Sequence, residues 1–268
     1  MTANETTLRG PGLRPFWAPA ALLTIALATW LVAVERMAGM DAGPGTDPGA
    51  LGWFLGMWVT MTAAMMLPSA VPMATVFART AEAQDGRARG PLATAVFVTG
   101  YLAAWTAVGT VAYVLYRLLD ALDGGVLAWN RAGPFVSGGA ILAAGLYQLT
   151  PLKAVCLRNC RGPLFFLLRH WRSGWQGAAR LGVAHGAYCV GCCWGLMLVL
   201  FAVGVMSIFW MLVFAAAVFA EKVLPGGERV SVALAVALLA LGAWVAVAPG
   251  SVPGLTDPGA ARMPAAVP

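Results

Sequence analysis

Charge is what this chain has least of. Asp, Glu, Lys and Arg make up 10% of its 268 residues, against 60% hydrophobic, and a water-soluble domain of that length needs far more charge to cover its surface. A soluble globular protein is thereby excluded. Carboxylates are scarcer still, with 11 acidic residues to 17 basic ones, and the long apolar runs hold almost none, which argues against an oxygen-ligand site for Mg, Ca or Mn. No phosphate-binding loop, Ser/His/Asp set or nucleotide fingerprint occurs, so ATP-driven pumping by this chain alone is not expected. No organic cofactor or catalytic residue is expected either, and the chain reads as a carrier more readily than as an enzyme. The basic residues lack interleaved stacking aromatics, so the net charge of +6 is not a nucleic-acid footprint.

What the chain does have is apolar runs near the spanning length of roughly 20 residues. They lie at 16–38, 51–77, 92–118, 132–152, 181–203, 208–224 and 229–249, and predict an all-α polytopic bundle of about seven transmembrane helices. The fifth and sixth are separated only by Gly204–Ser207, where Gly204 can close one helix and Ser207 cap the next. Thirteen Lys and Arg fall before the first span, after the second, after the fourth and around the turn after the sixth, and only Arg36, Arg117, Arg131 and Arg262 fall opposite. The positive-inside rule then places the N-terminus in the cytoplasm. Residues 1–15 form a cytoplasmic segment, 16–249 one transmembrane domain and 250–268 a Pro/Ala/Gly tail expected to be disordered. Glu35 and Arg36 end the first span without a clean small-residue cleavage site, so it reads as a retained anchor. The Ala, Gly and Arg bias suggests GC-rich coding, hence a prokaryotic plasma (inner) membrane and a multi-pass protein within its lipid bilayer.

The fifth span carries HGAYCVGCCWGLM. At about 100° per residue His185, Cys189 and Cys192 share a narrow arc, with Cys193 beside them and Met197 further round. Gly182, Gly186, Gly191 and Gly195 make small-xxx-small pairs that admit a neighbouring helix. The second span supplies a methionine row, Met57, Met61 and Met65, above Pro68 and Pro72, which are expected to kink or open the helix. Equal depth predicts that Met61 and Met65 face the cysteine stripe across a helix interface. Thiolates and thioethers select soft ions, and Cu(I) uses both where Zn(II) has little use for the thioethers. Copper, as Cu(I), is the suspected metal, with a metal-donor or acceptor protein as partner. Cys156 and Cys160, at the inner end of the fourth span, form a second pair, and Met37, Met40 and Met206 lie near outer loop ends. Outer thioethers, central thiols and inner thiols would grade a path for a soft cation.

Plain packing competes with coordination at each of these positions. Methionine fills gaps in apolar cores, free cysteine behaves as a small hydrophobe, and His185 alone can be a core histidine bonded to a carbonyl. Snorkelling or local ion pairing accounts for Glu35, and for Glu221 next to Lys222, about as well as a functional role does. A thiol-disulfide oxidoreductase using Cys189 and Cys192, or passing electrons between the central and inner pairs, is the alternative of a different class. A non-catalytic assembly subunit is a third.

The segments MWVTMTAAMMLPSAVP, GAYCVGCCWGLMLVLFAVGVMS and AAAVFAEK resemble a bacterial family of predicted metal-binding integral membrane proteins, some members of which are labelled copper chaperones. The resemblance covers about residues 50–225 and implies roles for Met57, Met61, Met65, Met66, Pro68, Cys189, Cys192, Cys193, Trp194, Met197, Met206, Glu221 and Lys222. It supports metal binding more directly than transport, so a permease and a membrane-bound copper chaperone both remain open.

Overall fold

A computed structural model describes residues 17–37, 49–86, 89–123, 133–203 and 207–252. The N-terminal segment 1–15, Met40, Gly204, Met206 and the tail from 253 onward lie outside the described residues. Among the described residues every regular element is helical: α1 (Trp17–Met37), α2 (Leu51–Asp85), α3 (Gly90–Asp123), α4 (Gly133–Tyr147), α5 (Pro151–Arg161), α6 (Pro163–His170), α7 (Gly174–Val203), α8 (Ile208–Val223) and α9 (Gly227–Val247), followed by a 3-10 turn at Pro249–Ser251. Val252, at the start of the expected tail, is buried.

Large apolar side chains face outward, with Leu27 62% exposed, Phe135 68% and Val247 85%, while Lys153, His185, Glu221 and Lys222 are buried. That distribution is inverted relative to a soluble protein and suits a lipid solvent. Five helices, α1, α2, α3, α7 and α9, are long and apolar enough to cross a membrane. The fourth predicted span is broken: α4 ends at Tyr147, and the chain turns by 65° into α5. Thr150 caps α5 by accepting from the Lys153 amide, and Pro151 occupies its first turn, where a missing N–H costs nothing. Counting the broken pair as one gives six spans. The sixth predicted span is the 16-residue α8, only about 24 Å long at 1.5 Å per residue. Ser207 caps it as expected, accepting from the Trp210 amide at 3.5 Å.

The stretch between the fourth and fifth predicted spans, expected as a loop, is instead built into α5 and α6. The expected opening at Pro68 and Pro72 is also absent: α2 stays helical through both. Each proline removes one donor from the ladder, freeing the carbonyls four residues earlier, but packing against α1, α3 and α8 holds the helix together.

The principal helix pairs are α3 with α7, α4 with α9, α1 with α2 and α2 with α3, while α4 and α5 also pack on α7 and α8 on α2. Small residues set the closest crossings. Between α4 and α9, a Cβ added at Gly138 would stand 2.8 Å from the Gly242 carbonyl oxygen. In α1 the buried stripe is Ala18, Leu22, Ala26, Ala33 and Met37, whereas Leu23, Leu27 and Leu31 face outward.

Candidate metal centre

The glycines of α7 determine what meets its cysteines. A Cβ at Gly182 would collide with the Phe97 carbonyl of α3, and one at Gly186 would lie 2.8 Å from the Tyr101 carbonyl oxygen. The close approach brings the Tyr101 hydroxyl to 3.0 Å from Cys189 Sγ. One turn on, Gly191 leaves room for α5, since its absent Cβ would stand 2.6 Å from Cys156 Sγ. The Tyr147 hydroxyl of α4 donates to the Gly191 carbonyl. Gly195 faces Tyr147 and Ala144 of α4.

Four sulfurs gather on this framework. Cys192 Sγ lies 3.3 Å from Cys193 Sγ and 3.7 Å from Cys160 Sγ on α5, and it donates to the Cys189 carbonyl at 3.2 Å. From the opposite side Lys222 of α8 places its Nζ 2.9 Å from Cys189 Sγ and 3.4 Å from Ser69 Oγ of α2. All five cysteines are free thiols; Cys156, Cys189, Cys192 and Cys193 are buried and Cys160 is partly buried. His185, one turn before Cys189, is buried with no hydrogen-bond partner on Nδ1, and its ring lies among Phe97, Tyr101 and Phe166. A buried imidazole nitrogen left unsatisfied is costly in an apolar interior, and the carbonyl bond expected of a core histidine is not made at Nδ1.

Among the described residues no three His, Cys, Asp or Glu side chains form a ready-made metal shell. The donor chemistry nevertheless fits a soft ion. Metal–thiolate bonds of ~2.3 Å imply sulfur–sulfur edges of about 3.8 Å in a tetrahedral shell, and the sulfur separations of 3.3 and 3.7 Å are close to that edge.

The expected partner of the stripe is corrected by the fold. Helix α3 occupies the glycine face of α7, and α2 makes almost no direct backbone contact with α7. Met57, Met61, Met65 and Met197 are all buried in the core, but the helix in direct contact with the glycine face of α7 is α3 rather than α2. The connection from α2 runs instead through Ser69, one turn beyond Met65, and Lys222. Nor do Cys156 and Cys160 form a separate inner station: α5 packs on α7, so Cys160 belongs to the central cluster. Of the outer methionines, Met37 is buried, and Met40 and Met206 lie outside the described residues.

The linear sequence puts Lys153 in a loop and gives Glu221 and Lys222 a snorkelling or local pairing role. All three are buried. Lys153 pairs with Glu221, each side chain about 1% exposed, and also donates to Gln148. Ser231 of α9 donates to Glu221 at 2.8 Å, and Arg161 clips the end of α8 by donating to the Glu221 and Leu224 carbonyls. Adjacent residues of α8 thus reach different partners, Glu221 holding Lys153 of α5 and Lys222 holding Cys189. Tyr101 and Ser69 carry no sequence signal of their own; the run AEK next to an apolar helix is the one pointer to the charges.

A family model described as PpoB2, copper chaperone, matches residues 55–245. No curated protein matches the chain, and no solved structure does.

Proposed function

The chain belongs to this copper-chaperone family, and from that premise we propose that it is a multi-pass membrane protein that holds Cu(I) as cargo on the thiolates of Cys189, Cys192 and Cys193 and exchanges it through Cys160. The observation that carries the proposal is the meeting of sulfurs from two helices, with Cys160 3.7 Å from Cys192. Three thiolates around Cu(I) carry two net negative charges. The Lys222 ammonium, 2.9 Å from Cys189 Sγ, supplies the countercharge that such an anion needs in an apolar interior. His185 stands one turn away as a further neutral donor. Cys160, more exposed than the other three, is the sulfur that an incoming or departing ligand reaches first. Transfer then proceeds by thiolate exchange: a bond from copper to Cys160 forms as one to the external donor breaks, with no change of oxidation state.

On this reading the bundle has seven spans, with α4 and α5 as one broken span and α8 as a short one, an N-terminus on the cytoplasmic side and a place in a prokaryotic plasma membrane. The mixed Lys153, Glu221 and Lys222 layer suits the ends of the short helices, where a span of about 24 Å meets a hydrocarbon core of about 30 Å.

The test is anaerobic loading of the purified full-length protein with Cu(I), with retained metal compared against a Cys189→Ser, Cys192→Ser, Cys193→Ser variant and sulfur ligation read by X-ray absorption. Equal retention in both proteins refutes the proposal. The Cys160–Cys192 approach also favours a second reading, a dithiol that oxidises to a disulfide bridging α5 and α7. Mass spectrometry after rapid alkylation in cells distinguishes it, because a redox role requires a Cys160–Cys192 disulfide that forms and disappears with the oxidant supplied.

A further inference from the structure

The connection from α6 to α7 surrounds a cavity of about 310 Å³ lined by Arg169, His170, Trp171, Arg172 and Arg180, with Leu181 of α7 at its base. Among the described residues none of the three guanidinium groups has a carboxylate partner, the Lys153–Glu221 pair being elsewhere in the bundle. The walls are held in place. Trp171 Nε1 donates to Gln84 at the end of α2, 3.0 Å away, and the His170 ring stacks on Phe166, with centroids 4.5 Å apart. A concave site with three unbalanced guanidiniums and one imidazole, whose Nδ1 is bonded to the Phe166 carbonyl at 3.0 Å and whose Nε2 is left over, matches the donor pattern that phosphate oxygens require.

The surroundings indicate what carries the phosphate. In α6 Phe166 and Leu167 turn inward, while Leu164, Phe165 and Leu168 stand 57%, 78% and 72% exposed, and Trp175 at the start of α7 is 69% exposed. Arg169 follows Phe165 by four residues and shares its face of the helix. One face therefore presents apolar side chains that run directly into the cationic cavity, with an exposed tryptophan beside them, as at a bilayer interface. A soluble phosphate compound has no use for the apolar part, whereas a phospholipid uses both.

We propose that this cavity binds the phosphate of an anionic phospholipid, with the acyl chains lying along Leu164, Phe165 and Leu168. The site is separate from the thiol cluster and does not depend on the copper reading. General attraction of basic residues to an anionic leaflet is spread over all of them, whereas this proposal assigns the binding to one cavity.

Full-length protein purified in detergent and exchanged into nanodiscs of phosphatidylcholine alone, or with phosphatidylglycerol added, is released and its retained lipid counted by native mass spectrometry. The wild type is expected to keep phosphatidylglycerol selectively. The Arg169→Gln, Arg172→Gln, Arg180→Gln variant is expected to lose that retention on the order of a hundredfold, while an Arg79→Gln, Arg89→Gln variant, altered at two exposed residues outside the cavity, keeps it. Replacing the same three arginines with Lys, which preserves charge but not the planar fork, is expected to give intermediate retention and guards against misfolding of the Gln variant. Equal retention of both lipids by the wild type overturns the proposal, as does an equal loss in the Arg79, Arg89 variant. In a parallel arm, glycerol phosphate that fully displaces phosphatidylglycerol at millimolar concentration assigns the cavity to a soluble phosphate ester and overturns the lipid assignment.

Discussion

Replacing Lys222 with Met tests the charge arrangement of the thiol cluster more directly than removing a sulfur does. Its Nζ sits 2.9 Å from Cys189 Sγ in a buried site. At an effective dielectric of about 20 a unit pair at that distance interacts by about 6 kcal/mol, and removing one member of a buried pair costs about 3–5 kcal/mol once relaxation is included. In the metal-free protein much of that cost is avoided, because Cys189 without its ammonium can hold a proton and become neutral. The copper-loaded thiolates have no such escape. The loss therefore falls mainly on the loaded state, and the affinity for Cu(I) is expected to drop by about two to three and a half orders of magnitude. Competition with a chromogenic Cu(I) chelator in detergent measures this, with Lys222→Arg as the charge-preserving control. A rise in affinity for Lys222→Met would mean that the ammonium repels the cation, and the countercharge role would be wrong. An affinity within threefold of wild type, in a protein that still loses copper on Cys189→Ser, would refute it equally.

The buried pair below the cluster gives a second prediction: Glu221→Leu alone strands Lys153 and is expected to cost about 3–5 kcal/mol of stability, while Lys153→Met with Glu221→Leu recovers most of it, as read by a double-mutant cycle of thermal unfolding. Because α2 makes almost no direct backbone contact with α7, Met61→Leu with Met65→Leu is expected to cost less than about 1.5 kcal/mol per site and leave Cu(I) affinity within about threefold; a larger fall in affinity would return the thioethers to the site. Gly182→Ala, whose Cβ collides with the Phe97 carbonyl, is expected to destabilise by about 1–3 kcal/mol and weaken copper retention by withdrawing Tyr101. Gly52→Ala, with nothing within 4 Å of its Cβ, is expected to be neutral or stabilising by up to about 1 kcal/mol. A comparable loss at both glycines in a thermal-shift assay would contradict the close approach of α3 to α7 as the cause.

The helical class and the long apolar helices compatible with a multi-pass membrane protein were legible in the sequence, because long hydrophobic runs satisfy their backbone hydrogen bonds most simply as helices. The donor stripe of α7 was legible for a similarly local reason: His185, Cys189, Cys192 and Cys193 belong to one helix, and a period of 3.6 fixes their mutual direction whatever surrounds them. The small residues announced that something packs closely on α7, but not what. That choice depends on which helices are neighbours, and α3 rather than α2 lies on Gly182 and Gly186. The same limit applies to Cys160, 32 positions from the sulfur it meets, and to Lys222, 33 positions from Cys189. The break after Tyr147 redirects α5 toward α7, so residues that read as a basic loop deliver a thiol and a buried ammonium to the interior. Lys153 and Lys222 count as loop charges in any linear tally, since their sequence neighbours resemble those of a helix end. Only the folded bundle, by presenting Glu221 to one and Cys189 to the other, offers each the partner that makes its burial tolerable.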